Sequence, residues 1–236
     1  MEQPLESQLM REKNPRNWNL NHWRRPLVRV GFLISALALL VFIGLAVIVL
    51  RGLPLIHFDT SIALFLQQHS TQLGMRAMRL VSGLADPGVP LLGIAGVALL
   101  AVRRRWADLT LWVVALGGGL LISSTIKDFF DGRRPVWADP LHLGHEWQFP
   151  SGHVLGATIG YGLVLLLLWH RLNRPHLRLT FVLGLVALLL LIGFSRLYIH
   201  DHYFGDVLAG YSVGLSWLAL CASVWAAFRP QRGVLQ

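Results

Sequence analysis

The chain is a succession of long apolar runs separated by short polar breaks. Runs over roughly Leu27 to Leu50, Leu109 to Ile126, Val154 to Trp169, Leu179 to Phe194 and Val207 to Phe228 read as membrane-spanning helices, which need about 20 mainly apolar residues. A sixth run is clean only from Val89 to Val102. Bilayer length requires it to start near Leu80 and take in Asp86-Pro87, and Arg103 to Arg105 stop it. After the first run, Gly52 and Pro54 break the helix. From about Asp59 to His69 the spacing of Ile62, Phe65 and Leu66 predicts a helix too short to cross, one that lies in the interface or is equally an ordinary amphipathic loop helix.

The expected fold is therefore all-α and polytopic, with six transmembrane helices and a short interfacial helix between the first two. The expected organisation is a cytoplasmic N-terminal tail over 1–26, one six-helix membrane domain over 27–228 and a cytoplasmic C-terminal tail over 229–236. The first run lacks an obvious small-residue cleavage site, so it reads as an uncleaved first helix.

Composition strengthens this picture. Of 236 residues, 54% are hydrophobic and 14% charged, with a mean hydropathy of +0.54, far from the balance of a soluble domain. A formal charge of +9 raises nucleic acid as a partner, but the basic residues sit at the ends of apolar runs rather than along a polar face, so no nucleic acid is expected. The larger share of Lys and Arg falls in residues 1–30, at Arg103 to Arg105, at Arg171, Arg174 and Arg178, and at Arg229 and Arg232. The other side has Arg51, Arg76, Arg79, Lys127, Arg133, Arg134 and Arg196. The positive-inside rule then predicts a multi-pass protein of the cytoplasmic (inner) membrane, both termini cytoplasmic, with the second set of loops facing the periplasm or exterior. Cys221, the single cysteine, reads as a small buried hydrophobe.

The candidate chemistry lies in those outward loops. Between the last two spans runs Ser195-Arg196-Leu197-Tyr198-Ile199-His200-Asp201-His202-Tyr203-Phe204-Gly205-Asp206, an ionisable island next to hydrocarbon, which by default marks a working site. His202 and Asp206 are four apart and would share one face of a helix, the outline of an activated histidine nucleophile or base. Arg196 adds a planar fork of donors suited to phosphate oxygens. Pro150-Ser151-Gly152-His153 opens the fourth span. There Ser151 is a natural N-cap, the unpaired amides after it form an anion site, and His153 in the first turn can protonate a leaving oxygen as general acid. Lys127 and Arg134, at the exit of the third span, can join Arg196 in neutralising a phosphoryl group. Three converging cations without a carboxylate cage argue against a metal.

Lys127, six residues, Arg134-Pro135; Pro150-Ser151-Gly152-His153; then Ser195-Arg196, five residues, His202, three residues, Asp206: this set resembles the tripartite signature of the type 2 phosphatidic acid phosphatase superfamily, and six apolar spans resemble its lipid phosphatase branch. The resemblance implies that His202 is the nucleophile forming a phosphohistidine, that Asp206 orients it, and that His153 protonates the leaving group and then activates water. It implies that Lys127, Arg134, Ser151, Gly152 and Arg196 hold the phosphoryl oxygens, with no metal and no cofactor. The implied function is hydrolysis of a phosphomonoester or diphosphate on a lipid: undecaprenyl diphosphate, phosphatidate or phosphatidylglycerophosphate. The expected partners are that phosphorylated lipid and the bilayer, with no obligate protein partner evident.

Two other readings compete. A lipid phosphotransferase would use the same site and a different acceptor, and a lipid or anion transporter would use the cations without chemistry. Three other features remain to be placed. His200 beside His202 invites a metal reading, but residues two apart on a helix point away from each other. His142, His145 and Glu146 read as a solvated loop face or head-group contact. Asp86 could cap a helix or touch the pocket.

Overall fold

The computed structural model describes residues 20–53, 55–131 and 149–228. Among these residues eight α-helices follow one another: α1 (Leu20–Arg51), α2 (Leu55–His69), α3 (Gln72–Ser82), α4 (Gly88–Val102), α5 (Trp106–Phe130), α6 (Gly152–Leu168), α7 (Pro175–Tyr198) and α8 (Phe204–Phe228), with a 3₁₀ turn at Trp169–Arg171. Among the described residues there is no strand.

Four stretches are long and apolar enough to cross a membrane, Val28–Arg51, Trp106–Phe130, Pro175–Tyr198 and Phe204–Phe228, while α4 and α6 are shorter apolar helices. Their outward surfaces are what lipid requires. Leu120 is 74% exposed, Ile94 69% and Leu40 63%, a burden of apolar surface that a water-soluble protein does not carry. This is a multi-pass membrane protein.

Several expected boundaries move. The first helix begins at Leu20, so residues 20–26, expected in the tail, continue it. The short helix expected from about Asp59 to His69 is α2, and a second short helix, α3, follows it, because Thr71 accepts a hydrogen bond from the Gly74 amide and starts a new helix. The second apolar run does not reach back to Leu80 as one helix. It starts at Gly88, since α3 ends at Ser82 and Gly83 to Pro87 form a turn closed by Gly88 N–H to the Gly83 carbonyl. Proline lacks the amide that a continuing helix needs at that place. The third and fifth runs extend past their expected ends, so Lys127 lies in the last turn of α5 and Arg196 in the last turn of α7.

Helix α8 is the axis of the bundle. Its most apolar window is 44% buried, against 11–28% for the other three long apolar helices, and it packs on α1, α5 and α6. The central core joins α5, α6 and α8 through Leu111, Trp112, Ala115, Leu155, Ile159 and Val213. A second cluster, near the start of α8, gathers Val49, Ala63, Phe130, Phe149, Tyr203 and Ala209.

The α6–α8 contact is set by Gly210 and Gly214, one turn apart on α8. A Cβ on Gly210 would stand 2.7 Å from the Ser151 carbonyl oxygen, and one on Gly214 would stand 3.0 Å from the Leu155 carbonyl oxygen. Small residues at this four-residue spacing let two helix backbones approach closely within a membrane. Gly210→Ala must therefore displace backbone rather than a side chain, and is expected to cost about 1–3 kcal/mol. A thermal melt of the detergent-purified protein should show a lowered Tm. Gly44→Ala, where an added Cβ meets nothing within 4 Å, should leave Tm unchanged or raise it.

Candidate active site

The close α6–α8 approach brings the start of α6 against the start of α8. The Ser151 amide donates to the Asp206 carbonyl at 3.0 Å, so the second and third sequence clusters share a backbone hydrogen bond. Both histidines of interest and Asp206 lie around this junction.

His202 is not helical. It lies in the turn before α8, while Asp206 occupies the first turn of that helix, and the expectation that a helix would align them is corrected accordingly. They meet because Asp206 folds back. Its Oδ2 accepts the Tyr203 amide at 2.8 Å, satisfying one of the amides a helix start leaves unpaired, and the same oxygen stands 3.7 Å from His202 Nδ1. Asp206 is fully buried and His202 nearly so. Nδ1 is thus the ring nitrogen that faces the carboxylate.

The turn from Arg196 to His202 is shaped by the end of α7. His200 takes a left-handed backbone with φ of 63°, as a residue just past a helix end often does. It is also not helical, so helical spacing is not what separates it from His202. Its Nε2 is buried without a hydrogen-bond partner among the described residues.

Arg196 is 7% exposed. Its Nη1 donates to Ser82 Oγ and its Nη2 to Asp201 Oδ2, each at 2.5 Å, while Nε has no partner among the described residues. Two of its nitrogens are anchored to protein, which fixes the guanidinium plane.

Ser151 occupies the N-cap position of α6, but its hydroxyl makes no capping bond. It is completely buried and Oγ has no partner among the described residues. The expectation that it would both cap and face the pocket is thus met only in its position. A Cβ at Gly152 would stand 2.9 Å from Lys127 Nζ, so the ammonium sits close over the start of α6 and a side chain there would push it aside. His153 lies within electrostatic reach of Arg196, His202 and Lys127, and its Nε2 is 3.5 Å from Asp86 Oδ2.

Lys127, Ser151, Gly152, His153, Arg196, His202 and Asp206 are thereby gathered at one end of the bundle. Arg134, His142, His145 and Glu146 lie outside the described residues. Among the described residues no group of three or more His, Cys, Asp or Glu side chains converges as a metal site requires.

Three contributors escaped sequence reading. Asp59 of α2 accepts the Gly205 amide at 2.7 Å and holds the His202 turn from outside the motif region. Ser82 and Asp201 hold Arg196. Asp201 could have been suspected from its place inside the ionisable island, whereas Asp59 and Ser82 carry no local signal.

From the polar end a groove of about 880 Å³ runs into the bundle, lined by Lys127, His153 and Asp86 at one end and by Val97, Ala98 and Trp112 at the other. Between Lys127 and Trp112, α5 rises by about 20 Å, which exceeds the roughly 15 Å half-thickness of a hydrocarbon core. Trp112 Nε1 donates to the Gly93 carbonyl at 3.1 Å and closes the far end.

Known proteins share this architecture. Residues 108–230 match the sequence model of the PAP2 superfamily. Over 130 residues the chain is 31% identical to phosphatidylglycerophosphatase B of Bacillus subtilis (strain 168), a match that spans 54% of this chain and 62% of that relative's length. The fold is similar to the crystal structure of the first transmembrane PAP2 type phosphatidylglycerolphosphate phosphatase from Bacillus subtilis, with a TM-score of 0.69 at 23% identity, covering 84% of this chain and 98% of that one. The matched residues include all three sequence clusters and the helices that carry them, and the chain belongs to the PAP2 superfamily.

Proposed function

We propose that the protein is a metal-independent lipid phosphatase that hydrolyses a phosphomonoester or diphosphate on a lipid through a phosphohistidine. The observation that carries the reading is the pairing of a cationic, two-histidine pocket with an apolar groove that opens directly from it. A phosphorylated head group fits the first, and its hydrocarbon tail fits the second. A transporter needs no such buried carboxylate behind a histidine.

In the proposed reaction His202 Nε2 attacks phosphorus in line with the lipid oxygen. The P–O bond breaks, the P–N bond forms, and the departing oxygen takes a proton from His153. Asp206 holds Nδ1–H and stabilises the charge that develops on the imidazole. Water then attacks phosphorus, gives its proton to His153, and releases phosphate with His202 restored. Lys127, Arg196, Arg134, the Ser151 hydroxyl and the Gly152 amide stabilise the equatorial oxygens at the start of α6. The relative named phosphatidylglycerophosphatase B supports phosphatidylglycerophosphate as the first substrate to try, beside phosphatidate and undecaprenyl diphosphate.

We propose further that α1, α4, α5, α6, α7 and α8 all cross the bilayer, with α2 and α3 in the outer interface. The two shorter helices, α4 and α6, end at the basic turns Arg103 to Arg105 and Arg171 to Arg178, which extend their reach by snorkelling. Both termini then face the cytoplasm and the site faces outward.

Detergent-purified protein with EDTA present should release phosphate from at least one lipid of this panel, and His202→Ala should lower that rate by about a thousandfold or more. Retained release in the mutant would refute the phosphohistidine, and product phosphate appearing on an added alcohol would point to phosphotransfer instead. Sidedness can be read by cysteine labelling after Cys221→Ser. Ser70→Cys should react with a membrane-impermeant maleimide in intact cells or spheroplasts, and Arg104→Cys only after permeabilisation. The groove has its own test, because Gly117 lines it and an added Cβ there meets nothing within 4 Å. Gly117→Phe should cut kcat/KM for a long-chain lipid phosphate about tenfold or more and leave a short water-soluble phosphate ester unaffected. Gly184→Phe, equally unobstructed on α7, is the matching control and should change neither.

A further inference from the structure

The proposed reaction asks His153 to carry a proton in a place crowded with positive charge. Lys127 reaches it from α5, Arg196 from α7 and His202 from the turn before α8. All three act against an imidazolium at that site. A carboxylate also faces it, Asp86, whose Oδ2 stands 3.5 Å from Nε2. Asp86 belongs to none of the three sequence clusters.

The Asp86 carboxylate is two-thirds exposed, yet the backbone that carries it is fastened on two sides. Tyr161 of α6, the same helix that bears His153, donates its hydroxyl proton to the Leu84 carbonyl at 2.7 Å. Ser82 Oγ accepts from Arg196. Just after these tethers Ala85 is buried and packs with Ala157 of α6 and Ile192 of α7. The turn from Ser82 to Pro87 is thereby held in register with His153, and Asp86 at its end lines the mouth of the groove.

We infer that Asp86 is the positioning residue of His153, pairing with Nε2 so that the ring keeps its proton and turns Nδ1 toward the oxygen that leaves phosphorus. This rests on the reading of His153 as general acid given above. Asp86 forms no bond to phosphorus and gains or loses no proton. The P–O bond breaks as before, and the proton travels from His153 Nδ1 to the lipid oxygen. What the carboxylate supplies is the tautomer, the orientation and a compensating charge, the role a carboxylate plays behind many working histidines.

A general acid matters only where the leaving oxygen needs a proton. Full-length protein in detergent is therefore compared on octyl phosphate, a poor leaving group, and 4-nitrophenyl phosphate, a good one. kcat/KM is the quantity read, because it reports the step that expels the alcohol. Asp86→Asn should lower kcat/KM for octyl phosphate by about ten- to a hundredfold and change the nitrophenyl ester by less than about threefold. Tyr161→Phe, which frees one tether, should show the same selectivity to a lesser degree. In a His153→Ala background, Asp86→Asn should add nothing further.

Equal losses on both esters, no loss on either, or a full additional loss in the His153→Ala background would each overturn the inference. An improved KM for both esters with unchanged leaving-group dependence would overturn it too, assigning the carboxylate to repulsion of the substrate's own charge. If the parent protein released phosphate from neither ester nor from any lipid, the phosphatase reading itself would fall, a result distinct from a selective failure of the Asp86 variant.

Discussion

The site depends on how closely the backbones of α6 and α8 approach. Two helices in lipid gain nothing from hiding apolar surface against each other, so their contact must come from packing and hydrogen bonding. Gly210 and Gly214 supply the packing by letting the Ser151 and Leu155 carbonyls come within van der Waals distance of α8. The Ser151 amide then reaches the Asp206 carbonyl. The proposed anion site at the start of one helix and the histidine–carboxylate pair at the start of the other become neighbours through this one seam. A single added methyl group at Gly210 would act on both at once.

Around that seam the polar groups are held by a second layer that is largely remote in sequence. Asp59 fixes the Gly205 amide, Ser82 and Asp201 fix the Arg196 guanidinium, and Tyr161 fixes the turn before α4. Buried polar groups are costly unless each finds a partner. Two atoms that find no hydrogen-bond partner among the described residues are therefore informative, Ser151 Oγ and Arg196 Nε, both at the end of the bundle where the proposed phosphoryl site lies. The contrast between anchored and unanchored atoms of Arg196 shows the arrangement in one side chain.

How much of this could be read in advance follows from the reach of each signal. The apolar runs gave the long helices because hydrocarbon imposes length and composition locally. They misjudged the run before Val102, where Gly83 to Pro87 form a turn whose purpose is tertiary, and they left α3 unassigned because the Thr71 cap that starts it is a single residue. The spacing of Lys127, His153, Arg196, His202 and Asp206 brought the right side chains into consideration. For His202 and Asp206 it did so for the wrong geometric reason, since a helix was expected and a folded-back cap is found. Asp59 and Ser82 could not be chosen from sequence, because each acts across more than a hundred residues, whereas Asp86 is open to two readings, helix cap or pocket contact, and only the fold sets it against His153.

The groove turns these local facts into a consistent physical picture. Its polar end lies where helix starts, cations and histidines meet, and its apolar end lies deep among α4, α5 and α6, closed by the Trp112 to Gly93 hydrogen bond. A lipid whose head group entered the polar end would keep its tail in a medium as apolar as the bilayer it left, so transfer of the tail would cost little. The binding free energy could then be concentrated on the phosphoryl group, where cations and helix-start amides act in a site partly shielded from water and charge interactions are strengthened. The proposed catalytic centre, at the end of the bundle rather than in its middle, fits that division: a lipid tail needs the hydrocarbon depth, and a phosphate and an attacking water need the aqueous edge.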